Sequence, residues 1–143
     1  MRTQTRPVDS PAAMAHVLAM VMASHPKDDP RELRLLEGLN AFKRIGVSEA
    51  AFLRIARRLR RGACQALADH TWLHNDDLEM IDDLLDGVRD HRHRLLLCRL
   101  ASYVITADGR IEPLERTLYE HMLLRWGHTP SSVAQAILAE HVH

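Results

Sequence analysis

Residues 107–115 read Ala-Asp-Gly-Arg-Ile-Glu-Pro-Leu-Glu, and residues 23–32 read Ala-Ser-His-Pro-Lys-Asp-Asp-Pro-Arg-Glu. In each, an acidic turn runs into a proline, and a glutamate follows two residues later. Proline is pre-set for the first position of a helix, where its missing N–H has no partner to lose. Glutamate in the first turn meets the positive end of the helix dipole. Each stretch therefore predicts a turn followed by a helix start. The two are also copies of one another. A shift of 83 residues places Pro30 on Pro113, Asp29 on Glu112, Glu32 on Glu115, Leu35 on Leu118, Glu37 on Glu120 and Val21 on Val104. A two-residue gap then brings Arg44, Ile45 and Gly46 onto Arg125, Trp126 and Gly127, and Ser48 onto Thr129. Self-similarity at a fixed separation predicts two related halves.

Working outward, the remaining helices follow from caps and apolar period. Ser10 and Pro11 open a first helix to about residue 24, with Met14, Val17, Leu18, Val21 and Met22 on one face. The second runs from Pro30 to Gly46 with Leu33, Leu36, Leu39 and Phe42 inward. Ser48 caps a third that reaches about Asp69, and Asn75 caps a fourth along Leu78, Ile81, Leu85 and Val88. Asp90 caps a fifth, Pro113 starts a sixth and Pro130 a seventh. The expected fold is all-α, with about seven helices in a compact bundle. Its two pseudo-repeated three-helix halves span 10–69 and 90–143, a linking helix lies at 75–88, and residues 1–9 are expected to be disordered.

The bulk composition agrees. The chain has 143 residues, enough for one domain with its own core. Hydrophobic residues reach 46%, and they are mostly Leu, Ala, Met and Ile, which favour helices over strands. Lys+Arg and Asp+Glu both number 19, so the basic excess expected of a nucleic-acid binder is missing. Two Phe, two Trp and two Tyr give little surface for stacking bases. Cys64 and Cys98 form no CxxC pair and read as buried thiols of a reducing compartment. The opening residues lack the apolar run of a signal peptide, so the expected location is cytoplasmic. No catalytic motif stands out: G-x-S-x-G, a phosphate-cradling glycine loop and H-E-x-x-H are all missing, and the expectation is no enzyme.

The acidic turns carry the chemistry. Asp108, Glu112 and Glu115 in the second copy, and Asp29 and Glu32 in the first, offer oxygen ligands of the kind hard divalent cations take. The spacing D-G-x-I-x-x-x-E matches the second half of a calcium-binding helix-loop-helix loop. Its first half fails, because Val104 and Thr106 stand where Asp is required. The competing reading is that these carboxylates only cap their own helices. In the first copy His25 and Pro26 replace Asp108 and Gly109.

Over residues 10–140 the chain resembles the TerB family of tellurite-resistance proteins, on the strength of these two duplicated stretches. The resemblance implies an all-α domain of two similar halves, in a protein that is cytoplasmic or attached to the inner face of the membrane. It implies a link to tellurite and other stress, and a divalent cation (Ca, Mg, Mn or Zn) at Asp29, Glu32, Asp108, Glu112 and Glu115. The expected partners are other proteins, with peripheral membrane association as a further expectation and the oligomeric state left open. The alternative is a metal-free helical adaptor whose acidic turns are only caps.

Two further features concern charge and histidine. Arg54, Arg57, Arg58, Arg60 and Arg61 crowd the third helix, and Asp76, Asp77, Glu79, Asp82, Asp83 and Asp86 crowd the fourth. The favoured reading is that the two blocks pair with each other. Among ten histidines, His70 and His74 lie four apart but bracket a helix break, which argues against one shared helical face.

Overall fold

Helix starts are local chemistry, and most fall where the caps stand. In the computed structural model, residues 7–25, 30–70, 72–107, 109 and 111–142 are described. They hold eight α-helices, one short 3-10 turn and no strand, so the fold is all-α. Helix α1 spans Pro11–Ala23, with the Ser10 side chain accepting from the Ala13 amide at 3.1 Å. Ten of its 13 residues are buried. A helix apolar all round belongs at the centre of a bundle. α1 does sit there, against α3 (Ala41–Ile45), α4 (Glu49–Arg61), α5 (Asn75–Leu85), α6 (His91–Thr106) and α7 (Pro113–Trp126). α2 (Pro30–Gly38) rests on α3 and α6, and α8 (Pro130–Val142) on α6.

Three boundaries differ from expectation. The predicted single helix from Pro30 to Gly46 is two, α2 and α3, broken at Leu39 and Asn40. Asn40 takes the left-handed conformation at φ 55°, which asparagine tolerates better than most residues. The helix expected to reach Asp69 stops at Arg61. Gly62 turns the chain there so tightly that a Cβ would lie 3.1 Å from the Arg58 carbonyl oxygen. Only a 3-10 turn at Leu67–Asp69 follows. α5 begins at Asn75 with His74 as its cap, one residue before the expected one.

Several boundaries keep the register of the repeat. α1 and α6 end at 23 and 106, and α2 and α7 begin at 30 and 113, each pair 83 apart. α4 and α8 span 49–61 and 130–142, which are 81 apart at both ends. Gly46 and Gly127 both end their helices at positive φ, 88° and 71°. The Ser48 side chain accepts from the Ala51 amide, and Thr129 Oγ1 from the Ser132 amide.

The segment expected to be disordered is described from Pro7 onward, and there it is tied down. The Asp9 amide donates to the Gly87 carbonyl at 2.8 Å. Asp9 Oδ1 accepts from the Arg89 and Asp90 amides, both at 2.8 Å, and lies 3.3 Å from His93 Nδ1. Burial pushes this carboxyl's pKa up, but the Asp90 and Arg89 amides and the His93 ring outweigh that and hold it below its ordinary 3.8. A depressed folded-state value adds stability that is complete above the unfolded value and is lost as pH falls through the folded one. Asp9→Ala is expected to cost about 1–2 kcal/mol at pH 7, the scale of a lost cap. Asp9→Asn keeps an acceptor and should cost less. Its gap to the wild type in urea unfolding should close as pH drops below 3.8. A gap unchanged by acid would mean that the charge contributes nothing.

Candidate functional site

The two acidic turns each send one glutamate inward. Glu32 and Glu115 are the third residues of α2 and α7, and they are only 3% and 2% exposed. A glutamate that merely decorates a helix start stays in water, because burying a carboxylate is costly unless other groups compensate. Both residues do make interactions within the protein. Glu112 is the N-cap of α7, half-buried, and makes no side-chain cap hydrogen bond. Asp29 and Asp108 lie outside the described residues. Among the described residues, Glu32, Glu112 and Glu115 do not gather into a ligand set.

A ligand set does form elsewhere. His70, His74 and Asp77 each bring a donor atom within 4.8 Å of the others. Sequence spacing alone argues against this pair of histidines, and no helix aligns them. His70 follows the 3-10 turn, His74 caps α5, and Asp77 is the third residue of α5. Asp77 Oδ2 accepts from the His74 amide at 2.9 Å and lies 2.6 Å from His70 Nδ1. The two imidazoles stack with centroids 3.7 Å apart and planes 13° apart. Trp72 flanks His74 at 5.0 Å and is 64% exposed. Asp77 itself is buried, at 8%. Its only signal in the sequence is an acid at the third position of a helix, which reads as ordinary capping.

The buried thiol of Cys64 lies 4.0 Å from Sδ of Met80 on α5. Burial pushes it up to about 12, with Arg60 pulling it down and Asp77 pushing it further up. Cys98 is likewise pushed up to about 12 by burial. Neither is a ready nucleophile at neutral pH.

Two aspartates of the acidic block find partners on a different helix from the arginine block. Asp82 lies 2.6 Å from His121 Nε2, and Asp86 receives both Nε and Nη2 of Arg125 at 2.9 Å. The acidic helix α5 thus pairs with α7, which is distant in sequence but adjacent in the bundle. Arg60 donates to the carbonyls of Met22 and His25 at 3.2 and 3.1 Å, closing the C-terminal end of α1. Arg54, Arg57 and Arg58 are exposed and make no ion pair among the described residues. No described helix is long and apolar enough to cross a membrane.

No protein-family profile, curated protein or solved structure matches this chain.

Proposed function

We propose that this protein is a non-catalytic, TerB-like stress module of the cytoplasm. It binds a hard divalent cation at its acidic inter-helix turns and engages protein partners in that state. The observation that supports the reading is the burial of Glu32 and Glu115 at the same point of the two turns. A duplicated, inward-facing carboxylate is what a cation site requires and what a surface cap does not. The stress role rests on the resemblance of the duplicated turns. A second reading, the metal-free adaptor, draws on a different observation: both glutamates already have partners within the protein.

Calorimetric titration of metal-free protein with calcium, magnesium and manganese decides between them. The expected result is saturable binding that weakens at least tenfold in Glu115→Gln and in Asp108→Asn. Wild-type protein that takes up none of the three, or binding indifferent to both changes, leaves the adaptor reading. Glutamine is nearly isosteric with glutamate, so Glu115→Gln should fold.

A further inference from the structure

We infer that His70, His74 and Asp77 form a second site, one for a divalent transition-metal ion such as zinc or cobalt. It shares no residue with the acidic turns and suits a different class of cation. Calcium and magnesium take sets of six or more oxygens. Two imidazoles and one carboxylate are the donor set of zinc and its first-row neighbours, with a fourth position left to water.

The geometry is close to what such an ion needs. Tetrahedral coordination with bonds of about 2.0–2.2 Å sets neighbouring ligand atoms roughly 3.3–3.5 Å apart. The three donor atoms here lie within 4.8 Å of one another, and the closest pair, His70 Nδ1 and Asp77 Oδ2, is 2.6 Å apart. That pair is closer than two ligands of one ion would be, because it shares a proton. The ion takes the proton's place between nitrogen and oxygen, and the pair opens by under about 1 Å to admit it. The ring that binds through Nδ1 is the neutral imidazole with its one proton on Nε2, so a neutral His70 changes tautomer and a charged one releases its Nδ1 proton to the buffer. His74 is parallel to His70, so its ring must turn about its own side-chain bonds to bring its lone pair to the same point. It stands at the cap of α5, and turning costs it the stacking contact, Trp72 and its side of the capping box with the Asp77 backbone.

Two features mark this as more than a chance meeting of surface histidines. Asp77 is buried, and the His74 amide orients its carboxylate at 2.9 Å, the kind of outer hydrogen bond that fixes a metal ligand. The three donors also come from separate pieces of backbone: the end of the 3-10 turn, the cap of α5 and the first turn of α5. An ion bridging them would pin the connection between α4 and α5 to the start of α5. The Cys64 thiol is near but protonated and buried, so the site is built without it.

The test is titration of the full chain with zinc by calorimetry and with cobalt by tryptophan fluorescence and visible absorption. His141→Ala/His143→Ala serves as the background, to remove the C-terminal histidine pair. One ion per chain should bind, with affinity reduced at least tenfold in His74→Ala and in His70→Gln and unchanged in Glu115→Gln. Cobalt should quench Trp72, which lies beside His74, and the quenching should vanish in Trp72→Phe. Its spectrum should lack the near-ultraviolet thiolate charge-transfer band. Failure of the wild type to bind either ion would overturn the proposal, as would equal affinity in the histidine variants. Should a histidine variant fail to fold by circular dichroism, the Trp72→Phe comparison decides alone. Quenching that persists there puts the ion elsewhere and also overturns it. The acidic turns are judged apart from this site: zinc binding that survives Glu115→Gln supports the histidine site whether or not calcium or manganese binds.

Discussion

Phe52→Ala should lower the unfolding free energy by about 3–5 kcal/mol, the usual cost of emptying a large core site. Phe52 is fully buried at 0% exposure, and its ring meets Phe42 at 5.0 Å and 51°. It is one of only two buried side chains on α4, the other being Leu59. The rest of that helix is rich in arginine, so α4 holds to α1 through a narrow apolar strip. Alanine would remove that contact and leave α3 without its aromatic neighbour on α4. Against a total stability of about 5–15 kcal/mol, this change alone takes a large share. Phe52→Leu fills most of the volume and should cost less than half as much. Urea unfolding measures both. A loss under about 1 kcal/mol for alanine would mean that α4 does not dock through this residue.

Asp77→Ala comes next, at about 2–4 kcal/mol in metal-free protein. One carboxylate oxygen serves both the His74 amide and His70 Nδ1. Alanine strips both at once and leaves the start of α5 with one acidic residue fewer at the positive helix end. Asp77 is buried although the histidines and Trp72 around it reach water, so the orphaned amide is resolvated only in part. Asparagine is not equivalent to alanine at this position. Asp77→Asn keeps an oxygen for the amide and loses the charge, and about half of the loss should return. Equal costs for alanine and asparagine in thermal or urea unfolding would show that the charge, not the acceptor, matters here.

Much of the fold was legible because helix starts are written locally. Ser10 before Pro11, Ser48, Asp90, Pro113 and Pro130 each announce a start, and the structure begins helices beside all of them. Gly46 and Gly127 announce ends just as plainly. The break at Asn40 was hidden because an asparagine in a leucine-rich stretch looks the same inside a helix as at a left-handed turn. The early end of α4 at Gly62 was hidden by apolar residues beyond it that continue the period without continuing the helix. At the acidic turns the sequence supplied the residues but not their burial, since Glu32 and Glu115 would read identically on a wet surface. The His70–Asp77 contact was out of reach because a turn, not a helical period, closes it. The partners of Asp82 and Asp86 were out of reach for a similar reason. Neighbouring blocks in the sequence invite pairing, yet Asp82 and Asp86 meet α7, which the bundle brings alongside.

The central position of α1 also sets an order of events in the cell. The ribosome makes this helix before all of the helices packed against it, and α6, one of those that cover it, is complete only at Thr106. At about 5–20 residues per second, the 83 residues between Ala23 and Thr106 take roughly 4–17 s to synthesise. For that interval α3, α4 and α5 can already pack on α1, but the face that α6 covers waits exposed, so the nascent chain is expected to need shelter until its second half emerges.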